Sequence, residues 1–431
     1  MNSKKSYWLY IDPYVHISVK NTTALLYNTL SGKILEVKNT PSVNKIIKRL
    51  KMLDNIYVIK LFQREYKKPE IAKFINNISN LFMGGLLDTS WYKKKPIQII
   101  PELRIMDSPY RFLGMKGENW GRDILSKLIE ISLYINSRSK DNHSKINNTF
   151  KQFLFPSSTS NDKNELNLEQ LKKIIYQCKH SNLYNINILG DSIINYSYLR
   201  ELVSFLKTIP VQKSYFLHYT DFKDFRNFSR FINFLNDSQT KEKIILNIFF
   251  NFPLEEKLFT QVLEFHKIQN NKINYCFVIQ KEEDFEVAEL KVNKYDIANH
   301  SYFPFYNGKN LKYFKDAIFL TKKEVVEAKP SQKEILRRTI INDTKFGKLT
   351  ILSNGNIHSD VNSPKLGDLG THSILEVLYK EVTKGKSWRQ LRSNVLPCRK
   401  CTYQYLCPPL SNYESAIGRN NICHIWENGK Q

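Results

Sequence analysis

A chain of 431 residues, 42% hydrophobic and 13% aromatic, can bury cores for two or three domains and is not a disordered protein. Its formal charge of +24 comes from lysines spread along the chain, with no nucleic-acid-binding motif, so nucleic acid is not an expected partner, while a basic groove for an acidic peptide stays open. No apolar run reaches ~18 residues, Met1–Lys20 holds no uninterrupted apolar stretch, and the six cysteines do not suit a secreted disulfide scaffold; a cytoplasmic protein with no membrane segment is expected.

Residues 1–90 read as a small α+β unit. Tyr7–Ile11 and Val15–Val19 are strand-like runs broken at Asp12-Pro13. Ala24–Asn28 and Lys33–Val37 flank Leu30-Ser31-Gly32, a hairpin signal. Ser42 is placed to cap a helix with Val43, Ile46, Ile47 and Leu50 on one face. A further helix from about Lys68 carries Ile71, Phe74, Ile75 and Ile78, and is expected to end at Gly84-Gly85. Residues 91–122 read as a connector, broken by Pro96, Pro101 and Pro109.

Residues 123–340 alternate between strand and helix patterns. Strand-like runs are Leu128–Ile135, Ile186–Leu189, Tyr215–Tyr219, Ile244–Phe250, Ile273–Ile279 and Ser301–Phe305. Between them lie the helical patterns Leu168–Cys178, Tyr198–Leu206, Phe222–Leu235, Leu254–Ile268 and Phe285–Val292. Alternation at this spacing predicts a parallel sheet with helical crossovers, and six units predict a partial (β/α)6, TIM-like barrel rather than an eight-unit one. Cys178 and Cys276 read as small core residues, and His143, His218 and His358 stand isolated. No glycine-rich phosphate loop, HExxH or GxSxG occurs. Glu255-Glu256 and Glu282-Glu283-Asp284 read as charges at helix N-termini. A basic helix is expected over Lys322–Arg338.

Residues 341–431 carry a hairpin, Lys348–His358, a helix at Ile374–Val382, and then four cysteines in the pattern Cys398-x2-Cys401-x5-Cys407-x15-Cys423. A Cys-x2-Cys turn aims two thiolates at one point, and two later cysteines can complete a four-sulfur shell. Such a shell suits Zn²⁺ or an iron–sulfur cluster.

That cysteine pattern resembles one cluster site of the SPASM domain, the C-terminal extension of many radical-SAM peptide maturases. The family's other site is emptied: Asp360 and Ser411 stand where cysteines belong, and none precedes the hairpin. Residues 123–340 resemble the radical-SAM barrel, best over Glu165–Val203, but the Cys-x3-Cys-x2-Cys loop is replaced by the cysteine-free Asn136–Phe155, and the "GGEP" turn by Leu189-Gly190-Asp191-Ser192. The N-terminal unit resembles the winged-helix-like leader-recognition element of ribosomal-peptide maturases. There an extended leader adds to the third strand beside the last helix, which maps here onto Leu25, Tyr27, Phe74 and Ile78.

Together these resemblances imply an α/β pseudo-radical-SAM protein: a recognition-element-like domain (1–90), a connector (91–122), a degenerate barrel (123–340) and a SPASM-like domain (341–431). They imply one [4Fe–4S] cluster, or alternatively zinc, on Cys398, Cys401, Cys407 and Cys423. They imply no S-adenosylmethionine, no catalytic residues, and as partners a precursor or leader peptide and an active radical-SAM maturase. An enzyme using the old barrel pocket for other chemistry, and a zinc-stabilised interaction module, are the alternatives.

Overall fold

The computed structural model describes residues 5–20, 22–99, 120–137, 149–157, 163–236, 244–268 and 272–426, with Leu113. The fold is mixed α/β and, among the described residues, has one nine-stranded sheet and two three-stranded sheets. His143, Pro101, Pro109 and most of the segment after Asn136 lie outside the described residues.

Strands β1 (Ser6–Ile11), β2 (Val15–Val19), β3 (Thr23–Asn28) and β4 (Ile34–Lys38) begin the N-terminal unit. Strands β5 (Val58–Phe62) and β6 (Gly84–Asp88), which periodicity misses, flank β1 in antiparallel register. The other small sheet runs β2-β3-β4, so β3 is its middle strand. The first helix spans Pro41–Lys51 and buries Val43, Ile46, Ile47 and Leu50 as expected, but Thr40 caps it rather than Ser42. Proline at the first helical position has its φ preset and no N–H to satisfy, so the helix starts one residue ahead of Ser42. The helix Pro69–Asn80 buries Ile71, Phe74, Ile75 and Ile78. Gly84-Gly85 does not end it; these glycines open β6. A Cβ on Gly84 would stand 2.1 Å from the Tyr10 carbonyl oxygen, so the close approach to β1 requires glycine.

In the large sheet, β7 (Glu130–Tyr134), β8 (Asn185–Leu189), β9 (Gln212–His218), β10 (Ile244–Phe250), β11 (Lys272–Ile279) and β12 (His300–Pro304) are parallel and adjacent in sequence order. Every residue of β7 and β8 is buried, as expected of parallel strands covered on both faces. Helices such as Leu199–Lys207, which buries Leu199, Leu202, Val203 and Leu206, cover one face. The opposite face carries Tyr134, Leu189, Phe216, Phe249 and Cys276. Three further strands, β13 (Lys348–Ile351), β14 (Asn356–His358) and β15 (Lys365–Asp368), extend this sheet beyond β7. β13 lies parallel to β7, pairing Leu349 with Ile131, so the C-terminal hairpin continues the central sheet.

The expected single helix Lys322–Arg338 is two, Lys322–Glu327 and Gln332–Arg338. Pro330 interrupts it, and Thr321 and Ser331 each build a capping box with a glutamate three residues on.

Candidate metal centre and the interior of the sheet

The four C-terminal cysteines come from three short segments. Cys398 opens a one-turn 3₁₀ helix, Cys398–Lys400, and Cys401 follows it, its N–H donating to the Cys398 carbonyl at 2.9 Å. The next turn is held by the Tyr403 carbonyl, which accepts from Leu406 N (2.9 Å) and Cys407 N (3.0 Å). Cys423 stands on the last described segment, bridged to Leu320. All four thiols are buried and none is in a disulfide. They line one cavity, walled otherwise by Leu320, Ile422, Ile425, Arg392 and Gln404.

Burial pushes the Cys407 thiol up to about 12 and the Cys398 thiol up as well, in both cases against the pull of the Arg392 guanidinium. At neutral pH these groups hold their protons unless a thiophilic ion displaces them. Arg392 Nη1 lies 3.5 Å from Cys398 Sγ, and its Nη2 pairs with the buried Glu414 at 2.9 Å. The same guanidinium donates to the carbonyls of Pro408 and Pro409. Burial alone would weaken its charge, but Glu414 and the neighbouring thiols outweigh that and raise its affinity for the proton. Asn421 Nδ2 stands 3.5 Å from Cys423 Sγ. Sequence reading missed Arg392, Asn421 and Gln404, because nothing local marks a polar side chain that reaches a sulfur.

The donor set fits a thiophilic group: four thiols, apolar walls and one cation, with no carboxylate lining the cavity. Among the described residues no group of three or more His, Cys, Asp or Glu side chains is placed as it stands to hold a metal ion. The cavity is also tight, about 10 Å³, which is room for about one water-sized sphere. A four-iron core therefore requires the loops to spread further than a zinc ion does.

The two non-cysteine positions of the second site are otherwise engaged. Asp360 lies 3.7 Å from the buried Lys345 ammonium. Ser411 caps the helix Asn412–Ile417 and bonds Glu414.

The inner face of the large sheet is filled. After β7 the chain returns with Phe153 and Phe155. Phe153 stacks on Phe249 at 6.2 Å, and Phe155 meets Phe249 edge-on at 5.1 Å and His218 at 6.1 Å. Gln152 fixes this plug by pairing both amide atoms with the backbone of Tyr306, each at 2.8 Å. His218 is neutral: burial drags it down to about 4. Its ring meets Thr220 Oγ1 (2.6 Å) and Asn251 Nδ2 (3.0 Å). Cys276 and Cys178 are buried, and burial raises both thiols, to about 12 for Cys178. His358 bonds the Ser363 carbonyl.

A wider cavity of about 770 Å³ lies past the C-terminal ends of β10, β11 and β12. Part of its polar lining is spent on the loops. Asp284 accepts from Gln280 N (3.0 Å), and Asn310 donates to the Gln280 and Phe305 carbonyls (2.7 and 2.9 Å). No cysteine, serine or histidine is among the residues that line it.

The expected peptide residues are not available. Leu25, Tyr27 and Ile78 are 0% exposed and Phe74 is 2% exposed. β3 has both edges paired, so no strand can add to Ala24–Asn28. The outer strands of this sheet are β2 and β4. The bonds from Asn28 N to Lys33 O and from Asn39 N to Thr22 O set the alternation of the β3–β4 ladder, so the N–H and C=O groups of Ile34 and Glu36 point away from β3. The helix Pro69–Asn80 runs beside β4. Thr40, just past the strand, bonds Glu70 at one end of that helix (2.8 Å), and Asn28 bonds the Phe82 carbonyl beyond the other (2.9 Å).

No helix among the described residues is long and apolar enough to cross a membrane. No protein-family model matches the chain, and no curated protein does. Among solved structures, the chain is similar to Streptococcus suis SuiB bound to its precursor peptide SuiA, at 12% identity and a TM-score of 0.47, over 97% of this chain and 100% of that one. It is also similar to SuiB alone, at 12% identity and a TM-score of 0.40 over 96% and 100% of the two chains. For SuiB bound to S-adenosylmethionine the identity is 12% and the TM-score 0.39, over 96% and 97%. At these values the likeness assigns neither family nor activity.

Proposed function

We propose that this chain is a non-catalytic pseudo-radical-SAM protein with a SPASM-like C-terminal domain, which binds a precursor peptide in ribosomal-peptide maturation and works beside an active radical-SAM maturase. The observation that carries the reading is the pairing of a four-thiol cavity with a plugged sheet. Cys398, Cys401, Cys407 and Cys423 line one buried space, while Phe153 and Phe155 fill the face where the barrel of the resembled family would work.

Cys398, Cys401, Cys407 and Cys423 would hold one [4Fe–4S] cluster. Bound there, such a group supplies a cross-link between distant segments of chain, and with four protein ligands it leaves no position for substrate. Arg392 offsets negative charge at Cys398, Asn421 orients Cys423, and Leu320, Ile422 and Ile425 exclude water. Zinc is the second reading, favoured by the tightness of the cavity. The domain divisions at about 90, 122 and 340 are retained as part of the proposal, with the recognition-element-like unit first. Within it the peptide-receiving edge is β4, the third strand of its sheet, beside the helix Pro69–Asn80.

The test is anaerobic purification of the full chain with iron, sulfide and zinc analysis, followed by titration of the precursor peptide encoded beside the gene. Roughly four irons per chain supports the cluster, and one zinc the second reading. Protein with neither metal, or no peptide binding, overturns the corresponding half.

A further inference from the structure

The N-terminal sheet and the cysteine loop share one buried core. Leu25 and Tyr27 of β3 pack with Cys401, Tyr403, Leu406 and Cys407, although some 375 residues separate them in sequence. Tyr403 is the hinge of this contact. Its ring is 0% exposed, its hydroxyl donates to Glu36 Oε1 at 2.6 Å, and its carbonyl holds Cys407 N at 3.0 Å. Glu36 lies on β4, and its other oxygen pairs with Lys322, whose ammonium sits 5.4 Å from the centre of the Tyr403 ring. A second link runs through Gln404. With its amide turned to satisfy both neighbours, its oxygen accepts from Lys20 Nζ (3.0 Å) and its nitrogen donates to the Cys398 carbonyl (3.2 Å).

One residue between Cys401 and Cys407 thus touches the edge strand through its side chain and positions a thiol through its backbone. We propose that the four-cysteine centre and strand β4 form one cooperative unit. Filling the centre orders the Ile34–Lys38 edge, and the docked sheet in turn retains the metal. Tyr403 and Glu36 are the positioning residues of this link. Reciprocity follows from linkage, since whatever the metal does to the sheet the sheet does to the metal. The inference rests on the thiolate reading above, but its readout needs no peptide.

The experiment uses the full chain with its metal content measured. Backbone amide exchange is followed for residues 23–38 before and after the metal is stripped by a chelator. Metal loss to the same chelator is timed for wild type, Tyr403→Phe and Glu36→Gln. Stripping is expected to speed exchange at 23–38, and each variant to lose metal faster by about tenfold, the factor that one charge-assisted hydrogen bond is worth. Tyr403→Phe keeps the ring, so the fold survives it, and Lys20→Met tests the second link independently. Wild type without metal overturns the thiolate reading and this inference together. Wild type that holds its metal, with unchanged exchange at 23–38 and unchanged loss from both hydroxyl-link variants, overturns the coupling alone.

Discussion

Three residues carry measurable consequences. Cys401→Ser removes one of the four proposed ligands, and stoichiometric metal should be lost along with order in residues 398–423, read by metal analysis and a lowered denaturation midpoint. Arg392→Met leaves Glu414 buried without its cation, at a cost of about 3–5 kcal/mol by chemical denaturation, and adding Glu414→Gln should recover part of the loss. His218 has a clear sign. Its folded value is near 4 because burial disfavours the charged ring, while the unfolded chain takes up the proton near 6.5. Between those values the unfolded state binds more protons, so stability falls as pH drops through that window. Between pH 7 and 5 wild type should lose about 2 kcal/mol more than His218→Gln, measured by denaturation at both pH values.

At the scale of elements, the aromatic plug and the edge strand make opposite claims. Phe155 is 2% exposed among Phe249, Phe153 and His218. Phe155→Ala should cost about 3–5 kcal/mol by chemical denaturation. Purified, reconstituted protein with a strong reductant should form no 5′-deoxyadenosine above background, with or without that change. β4 offers the outward N–H of Ile34 to a peptide, and proline there leaves the β3 ladder whole, because Ile34 and Tyr27 form a non-hydrogen-bonded pair. Ile34→Pro should therefore weaken precursor binding in titration calorimetry without unfolding the sheet. Unchanged affinity would place the peptide elsewhere.

At the scale of the whole molecule, the chain joins distant segments into shared cores. β13 continues the sheet begun by β7, and β3 closes over the cysteine loop. Chelation should accordingly be felt at the opposite end of the sequence. The +24 charge favours an acidic peptide, and its on-rate should fall as salt is raised from 0.05 to about 0.5 M, where the screening length drops below about 5 Å.

Some of this was legible in the sequence. The strand and helix runs of residues 168–305 lie within a few residues of the observed elements, because each buries a stripe that its own period announces. The cysteine spacing marked Cys398, Cys401, Cys407 and Cys423, which the structure brings to one cavity. What a stripe cannot announce is what covers it. Ala24, Leu25, Leu26 and Tyr27 are all buried, so β3 reads as apolar on both faces. Only the assembled chain shows one face under the N-terminal helices and the other under the cysteine loop. The same holds for Phe155, Arg392 and Tyr403, whose partners are set by packing between segments that local pattern does not connect. Spacing determined which residues could make a site; tertiary packing decided that Leu25 and Tyr27 pack against the cysteine loop and that β3 is paired on both sides, with β2 and β4 as the outer strands.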